Sequence, residues 1–191
     1  MDTGGVTSAQ GSSDKAALRP ALVAARRKRV AGRDRAADDT ALAREVLALA
    51  AELGVGAGAT IAAYEALRSE PRTAATIAAL VAHGIRVLVP ITMPNLDLDW
   101  CDATDPGRVP LGLDAIGAAS LVLTPGLAVD LAGTRLGRGG GSYDRALARR
   151  SDGARVLVVL HPGEVRADPL PAEQHDEPVH GVLTAEGVRW F

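Results

Sequence analysis

The sequence predicts an α/β fold: three layers, αβα, around a mostly parallel sheet, with two N-terminal helices ahead of it. Three observations lead there. Four short apolar segments, at 60–64, 86–91, 121–124 and 155–160, have the length and the Val/Ile/Leu content of strands buried on both faces. Helical patterns at 73–82 and 143–150 fall between them, which is the rhythm that parallel strands need for their crossovers. The 191 residues, 47% hydrophobic and 23% charged, are enough for one core and one domain.

Taken in order, residues 1–13 are small and polar and are expected to form a flexible tail, leaving 14–191 as the single domain. A first helix is expected over 14–30, with Leu18, Leu22 and Ala25 or Arg26 on one face and Pro20 marking a kink or the true start. A second runs from Asp38 or Asp39, acids suited to a helix start, to Leu53, and stops against Gly-Val-Gly-Ala-Gly at 54–58. The strands follow. Open parallel sheets bind ligands at the carboxyl ends of their strands, which directs attention to the loops after Tyr64, Ile91, Thr124 and Leu160.

Composition narrows the partners. A net charge of −2 gives no general attraction to nucleic acid or acidic membranes. The basic run Arg26-Arg27-Lys28-Arg29 lacks interleaved aromatics and reads as a solvated helix face. A single cysteine, Cys101, rules out an internal disulfide, and neither a membrane span nor a secretory signal is recognisable, so the expected location is cytoplasmic and the expected form a monomer.

One stretch carries chemistry: R-L-G-R-G-G-G-S-Y-D-R-A-L, from Arg135 to Leu147. Glycines at 137, 139, 140 and 141 permit positive φ and bring backbone N–H groups close to a bound group, with a helix beginning just beyond. Arg135 and Arg138 add forked cationic donors, and Asp144 is a hard oxygen ligand suited to magnesium. The stretch is neither G-x-x-x-x-G-K-[ST] nor G-x-G-x-x-G, and a glycine-rich connection before a helix is often only a tight turn. On these residues alone the reading stops at an anion loop suited to phosphate.

That stretch closely resembles the signature of the 5-formyltetrahydrofolate cyclo-ligase family. Further segments resemble the family in its order: K-A-A-L-R (Lys15 to Arg19), Tyr64 with Glu70 and Thr73, P-G-L-A-V-D (Pro125 to Asp130), and L-P-A-E-Q-H-D-E-P-V-H-G-V-L-T near the end. The resemblance implies ATP- and Mg²⁺-dependent closure of 5-formyltetrahydrofolate to 5,10-methenyltetrahydrofolate, with release of ADP and phosphate. It implies that Gly137, Gly139, Gly140, Gly141 and Ser142 cradle the nucleotide, joined by Arg135, Tyr143 and, from the first helix, Lys15 and Arg19. Arg138 and Tyr143 would be catalytic, Asp144 and Asp176 would hold Mg²⁺, and Tyr64, Glu65, Glu70, Trp100, Arg138 and Ser142 would meet the folate.

Each residue also has a plainer reading. Lys15 and Arg19 lie four apart and fit a solvated helix face; Glu70, before Pro71, fits a helix-start acid; Trp100 fits a core position, although the pocket is the expectation taken here. His161, His175, Asp176 and His180 lack the spacing of a zinc site, and Cys101 has no visible base beside it. The chain departs from the family at Ser142, where an aromatic is usual, at Val129, and in lacking a Gly-x-x-Glu-Pro element between Trp100 and Leu121. Two further readings therefore stand beside the cyclo-ligase: a non-catalytic folate- or nucleotide-binding protein on the same scaffold, and a related ATP-using enzyme acting on another small formylated or carboxylated compound.

Overall fold

The computed structural model describes residues 4–191. In chain order its elements are helices α1 (Gly4–Ala31) and α2 (Arg35–Glu52), strand β1 (Thr60–Ala62), helix α3 (Ala74–Ala82), strands β2 (Arg86–Thr92) and β3 (Leu98–Asp102), a 3-10 turn (Leu113–Ala118), and strands β4 (Leu121–Pro125), β5 (Ala128–Asp130) and β6 (Arg135–Leu136). Helix α4 (Ser142–Leu147) and strands β7 (Arg155–Val159), β8 (Val165–Arg166), β9 (Gly181–Thr184) and β10 (Gly187–Trp190) complete it.

Alternation along the strands fixes the layers, because successive side chains point to opposite faces. Leu121, Leu123, Leu157 and Val159 pack on one side with Leu42, Val46 and Leu49 of α2 and Leu80 of α3. Val122, Val156 and Val158 pack on the other with Ala146 and Leu147 of α4 and with Ile116. The result is the αβα arrangement expected, around a seven-stranded sheet of order β10-β9-β7-β4-β1-β2-β3. Pairings from β2 through β9 are parallel, and the two edges, β3 and β10, are antiparallel. The chain moves one way from β1 to β2 and the other way from β4 to β7, so the sheet switches direction between β1 and β4, where loops diverge and leave a crevice.

A second sheet, β6-β5-β8, has three short strands. Its Ala128 and Leu136, with Leu170, face Leu18 and Leu22 of α1, so the first helix docks on this small sheet.

The boundaries differ from expectation for local reasons. Helix α1 begins at Gly4, so residues 4–13, expected as a flexible tail, continue the first helix; residues 1–3 lie outside the described residues. Pro20 sits inside it without ending it; Pro20 is exposed, and so is Ala16, whose carbonyl it leaves without a helical donor. Helix α2 starts at Arg35, because Asp34 is the residue whose side chain accepts from the N–H groups of Ala36 and Ala37, at 3.0 and 3.1 Å. Asp38 instead pairs with Arg33, and Asp39 receives the N–H of Ala75 at the start of α3. The basic run on α1 is not uniformly solvated: Arg27 and Lys28 are exposed, but Arg26 is 1% exposed.

Candidate active site

A cleft of about 530 Å³ lies over the carboxyl ends of β1, β2 and β4, at the point where the sheet switches direction. Lys15, Arg19, Tyr64, Glu65, Glu70, Arg135, Arg138, Tyr143, Asp144 and Asp176 all line it, with the whole of Gly137 to Ser142. The connection from β4 to β7 folds out as the β5-β6 hairpin and returns over the cleft as the glycine loop, which ends at α4.

The loop needs glycine for two separate reasons. Gly139 and Gly141 have φ of 104° and 65°, a region that L side chains rarely enter. A Cβ at Gly139 would also sit 3.1 Å from the Arg19 guanidinium carbon, and one at Gly141 would sit 2.8 Å from Arg145 Nη1. Helix α1 thus approaches the loop closely, and Arg19 Nε donates to the Gly137 carbonyl at 3.1 Å. Beneath the loop Arg145 donates to the Gly140 and Leu96 carbonyls and to Asp97, tying it to the turn between β2 and β3. Leu96 in that turn has φ of 65°. Arg145 and Arg149 hold the Asp97 carboxyl below its usual range.

Three cation–carboxylate pairs span the cleft. Arg138 Nε donates to Glu70 Oε1 at 3.1 Å, and the other Glu70 oxygen accepts the N–H of Leu67 at 2.9 Å. Arg135 Nη2 donates to Asp144 Oδ1 at 2.6 Å, with its guanidinium 5.9 Å from the Tyr143 ring centroid. Lys15 Nζ donates to Asp176 Oδ1 at 2.6 Å and lies 3.6 Å from Glu173 Oε2. Lys15 is 4% exposed, so its solvated-face reading does not hold.

Asp144 and Asp176 therefore line one cleft, each beside a cation. Their carboxylate oxygens are the hard donors that Mg²⁺ favours, and Glu173, whose Oε1 is buried without a hydrogen-bond partner among the described residues, lines the same cleft beside Asp176. The ligand atoms of Glu173, His175 and Asp176 lie within 4.8 Å of one another. Glu173 and Asp176 could share a divalent ion, and Asp144 lines the same cleft. Sequence reasoning missed Glu173, whose only signal was an acid three places before Asp176.

Other residues fall where their partners require. The Tyr64 hydroxyl donates to the Pro71 carbonyl at 3.0 Å, and the Thr73 hydroxyl donates back to the Tyr64 carbonyl, so Tyr64 shapes the loop that presents Glu70. Glu65 is exposed and accepts both forks of Arg108, at 3.0 and 2.9 Å. Burial pushes the Tyr143 phenol far above its usual value, with the Glu70 charge adding to the effect, and its oxygen has no partner among the described residues. Tyr143 can thus offer a neutral hydrogen bond but not a phenolate. Trp100 does not line the cleft, contrary to expectation. It is fully buried against Leu88, Leu98 and Ile116, because the antiparallel pairing of β3 with β2 turns it into the core.

Comparison with known proteins bears on this arrangement. A family model described as the 5-formyltetrahydrofolate cyclo-ligase family matches residues 11–185. The 5-formyltetrahydrofolate cyclo-ligase of Mycolicibacterium smegmatis is 36% identical over 144 residues, covering 66% of this chain and 74% of that protein. The mitochondrial 5-formyltetrahydrofolate cyclo-ligase of Arabidopsis thaliana is 31% identical over 118 residues, 57% of this chain and 39% of that longer protein. The solved 5,10-methenyltetrahydrofolate synthetase of Mycoplasma pneumoniae shares the fold with a TM-score of 0.72 at 19% identity, over 90% of this chain and 99% of that one. That of Aquifex aeolicus gives 0.67 at 21% identity, over 92% of each. With the match running through the first helix, the glycine loop and the closing His-Asp segment, the chain belongs to the 5-formyltetrahydrofolate cyclo-ligase family.

Proposed function

We propose that this protein converts 5-formyltetrahydrofolate to 5,10-methenyltetrahydrofolate, using ATP and Mg²⁺ and releasing ADP and phosphate. The observation that carries the reading is the Arg138–Glu70 pair, which joins the glycine loop to the loop after β1 inside one cleft. The phosphate side and the folate side of the reaction thereby share a cation.

The chemistry needs such sharing. A formamide oxygen is a poor leaving group. That oxygen attacks the γ-phosphorus and ADP departs; N10 then attacks the activated formyl carbon and loses its proton, and the carbon–oxygen bond breaks to release phosphate. Catalysis of this kind rests on alignment and on neutralising charge. Arg138 would neutralise the transferring group while its partner Glu70 would accept from pterin N–H groups. Gly137 to Ser142 would bind the phosphates, with Lys15, Arg19 and Arg135 around them, and Tyr143 would donate one hydrogen bond. Asp144 and Asp176, with Glu173 beside Asp176, would hold Mg²⁺, which when bound offsets phosphate charge. Tyr64 orients the folate loop, and Glu65 and Ser142 stand at its edge. A monomer is the working form we propose, and the cytoplasm the compartment. Among the described residues no helix is long and apolar enough to cross a membrane.

The test is absorbance in the methenyl-folate band with 5-formyltetrahydrofolate, ATP and Mg²⁺, beside an Asp144→Ala control. A band that needs ATP and disappears in the control supports the reading. Folate or ATP binding without a band would favour the non-catalytic alternative, for which Ser142 is the motivating departure, and ATP turnover with another formylated compound would favour the third.

A further inference from the structure

Outside the cleft, helix α1 carries a second ion pair that none of the chemistry above uses. Arg26 is 1% exposed, and its Nε and Nη2 donate in fork fashion to the two carboxylate oxygens of Glu164, at 2.8 and 2.6 Å. Nη2 also donates to the carbonyl of Gly126 at 2.7 Å, and Gly126 lines the cleft at the end of β4. Glu164, in the loop after β7, in turn accepts the N–H of His161 at 2.9 Å.

A buried ion pair is a poor source of stability, since desolvation offsets most of its attraction and an apolar pair of similar size does as well or better. This one also leaves Arg26 Nη1 buried without a partner among the described residues. What the pair supplies, and apolar contact would not, is direction. A two-pronged bond to Glu164 with a third bond to Gly126 fixes both the roll of α1 about its axis and its position along it. The apolar contacts of α1 with the small sheet come from Leu18 and Leu22, which are only partly buried. Arg19 lies about two helical turns from Arg26, roughly 10 Å along the axis, and Lys15 one turn further, so a small roll at Arg26 is carried directly to both.

We propose that Arg26 and Glu164 are positioning residues that set the register of α1 so that Lys15 and Arg19 meet the nucleotide phosphates. This rests on the reading of α1 as a nucleotide-binding element. The pair acts on ATP through those two cations and touches neither substrate.

The decisive variant is the double substitution Arg26→Met with Glu164→Gln in the full chain. It removes both buried charges together and keeps an oxygen to accept the N–H of His161, so the fold is retained while the buried fork is lost and, at this end of α1, the bond from Arg29 to the Gly163 carbonyl is left. Steady-state kinetics, ATP affinity by calorimetry and thermal unfolding are measured side by side with Arg26→Lys, which keeps the charge but not the fork. The expected result is a KM and Kd for ATP raised tenfold or more in the double variant, with KM for 5-formyltetrahydrofolate within twofold, kcat within threefold and an unfolding midpoint near that of the parent. Arg26→Lys is expected to show the same split, about threefold. ATP affinity within twofold of the parent in both variants would overturn the proposal, as would equal losses for both substrates accompanied by a lowered midpoint. Should the double variant fail to fold, Arg26→Lys decides by the same split. If the parent binds ATP yet makes no methenyl-folate, the cyclo-ligase reading fails while calorimetry still tests the pair; a parent that binds no ATP would sink both.

Discussion

Arg138 of the glycine loop and Glu70 of the loop after β1 lie 68 positions apart in sequence and 3.1 Å apart in space. Glu70 is 4% exposed, whereas nearly half of the Arg138 side chain is accessible, so the carboxylate is fixed and the guanidinium is the member free to turn.

This asymmetry predicts separable effects. Arg138→Ala should lower kcat about 100-fold or more, the usual scale for loss of a group that stabilises transition-state charge, with a far smaller change in folate affinity. Glu70→Ala should chiefly raise KM for 5-formyltetrahydrofolate. Equal losses of kcat and folate affinity in Arg138→Ala would remove it from the transition state.

The loop backbone predicts a graded series. Gly141→Ala and Gly139→Ala place a Cβ at positive φ and should each cost about 1–2 kcal/mol from backbone conformation alone. ATP affinity should fall with it. Gly140→Ala, where φ is not positive, is the comparison and should be milder in chemical denaturation and in ATP titration.

Trp100→Ala should unfold the protein more than it impairs substrate binding. Emptying a fully buried indole site costs about 3–5 kcal/mol, and Trp100→Phe should restore most of the stability with KM for folate unchanged. A raised folate KM in a stably folded Trp100→Phe would return this residue to the pocket.

Stability should also depend on pH through two histidines. Burial lowers the pKa of His161, outweighing Glu164 beside it, and burial with the Arg155 and Arg150 charges lowers that of His180. The Nδ1 of His180 accepts the N–H of Val156, a role that only the unprotonated nitrogen can fill. The folded state thus favours both neutral rings, and the unfolded chain takes up protons first, at the ordinary value of about 6.5. The stabilisation is present above that pH and is lost as pH falls toward the depressed folded values. His180→Gln should flatten the slope of unfolding free energy between about pH 5 and 7.

Raising Mg²⁺ should rescue Asp144→Asn and Asp176→Asn only at concentrations about tenfold or more above those the parent needs, since each loses a charged oxygen ligand. Activity of either variant with unchanged Mg²⁺ dependence would assign the ion elsewhere.

Much of this architecture was legible in the chain, and the exceptions share a cause. The parallel strands at 60–62, 86–92, 121–125 and 155–159 announced themselves because both faces are buried, leaving continuous apolar runs. Strands β5, β6 and β8 have two or three residues each and exist only through their pairing, which no local pattern encodes. Trp100 read as a pocket residue because an aromatic beside a strand suits either side, and only the register with β2 decides. Arg26 differs from Arg27 and Lys28 by facing Glu164, 138 positions away. The glycine loop was readable because its demand is local: positive φ at Gly139 and Gly141. Its partners Lys15, Arg19 and Glu70 came from the family resemblance, and spacing alone did not separate them from ordinary surface charges.

The three ion pairs spanning the cleft have one more consequence under the proposed chemistry. Each anion there, Glu70, Asp144 or Asp176, already holds a cation, and each of Arg138, Arg135 and Lys15 already holds an anion. Under that chemistry a metal ion that takes Glu70, Asp144 or Asp176 by itself would evict a guanidinium or an ammonium, and a polyphosphate that takes Arg138, Arg135 or Lys15 by itself would pull it away from a carboxylate. The chelate of the two does both at once, and each displaced charge meets a new counterion. On the proposed reading the cleft would act as an AND gate, responding weakly to either input and strongly to the pair.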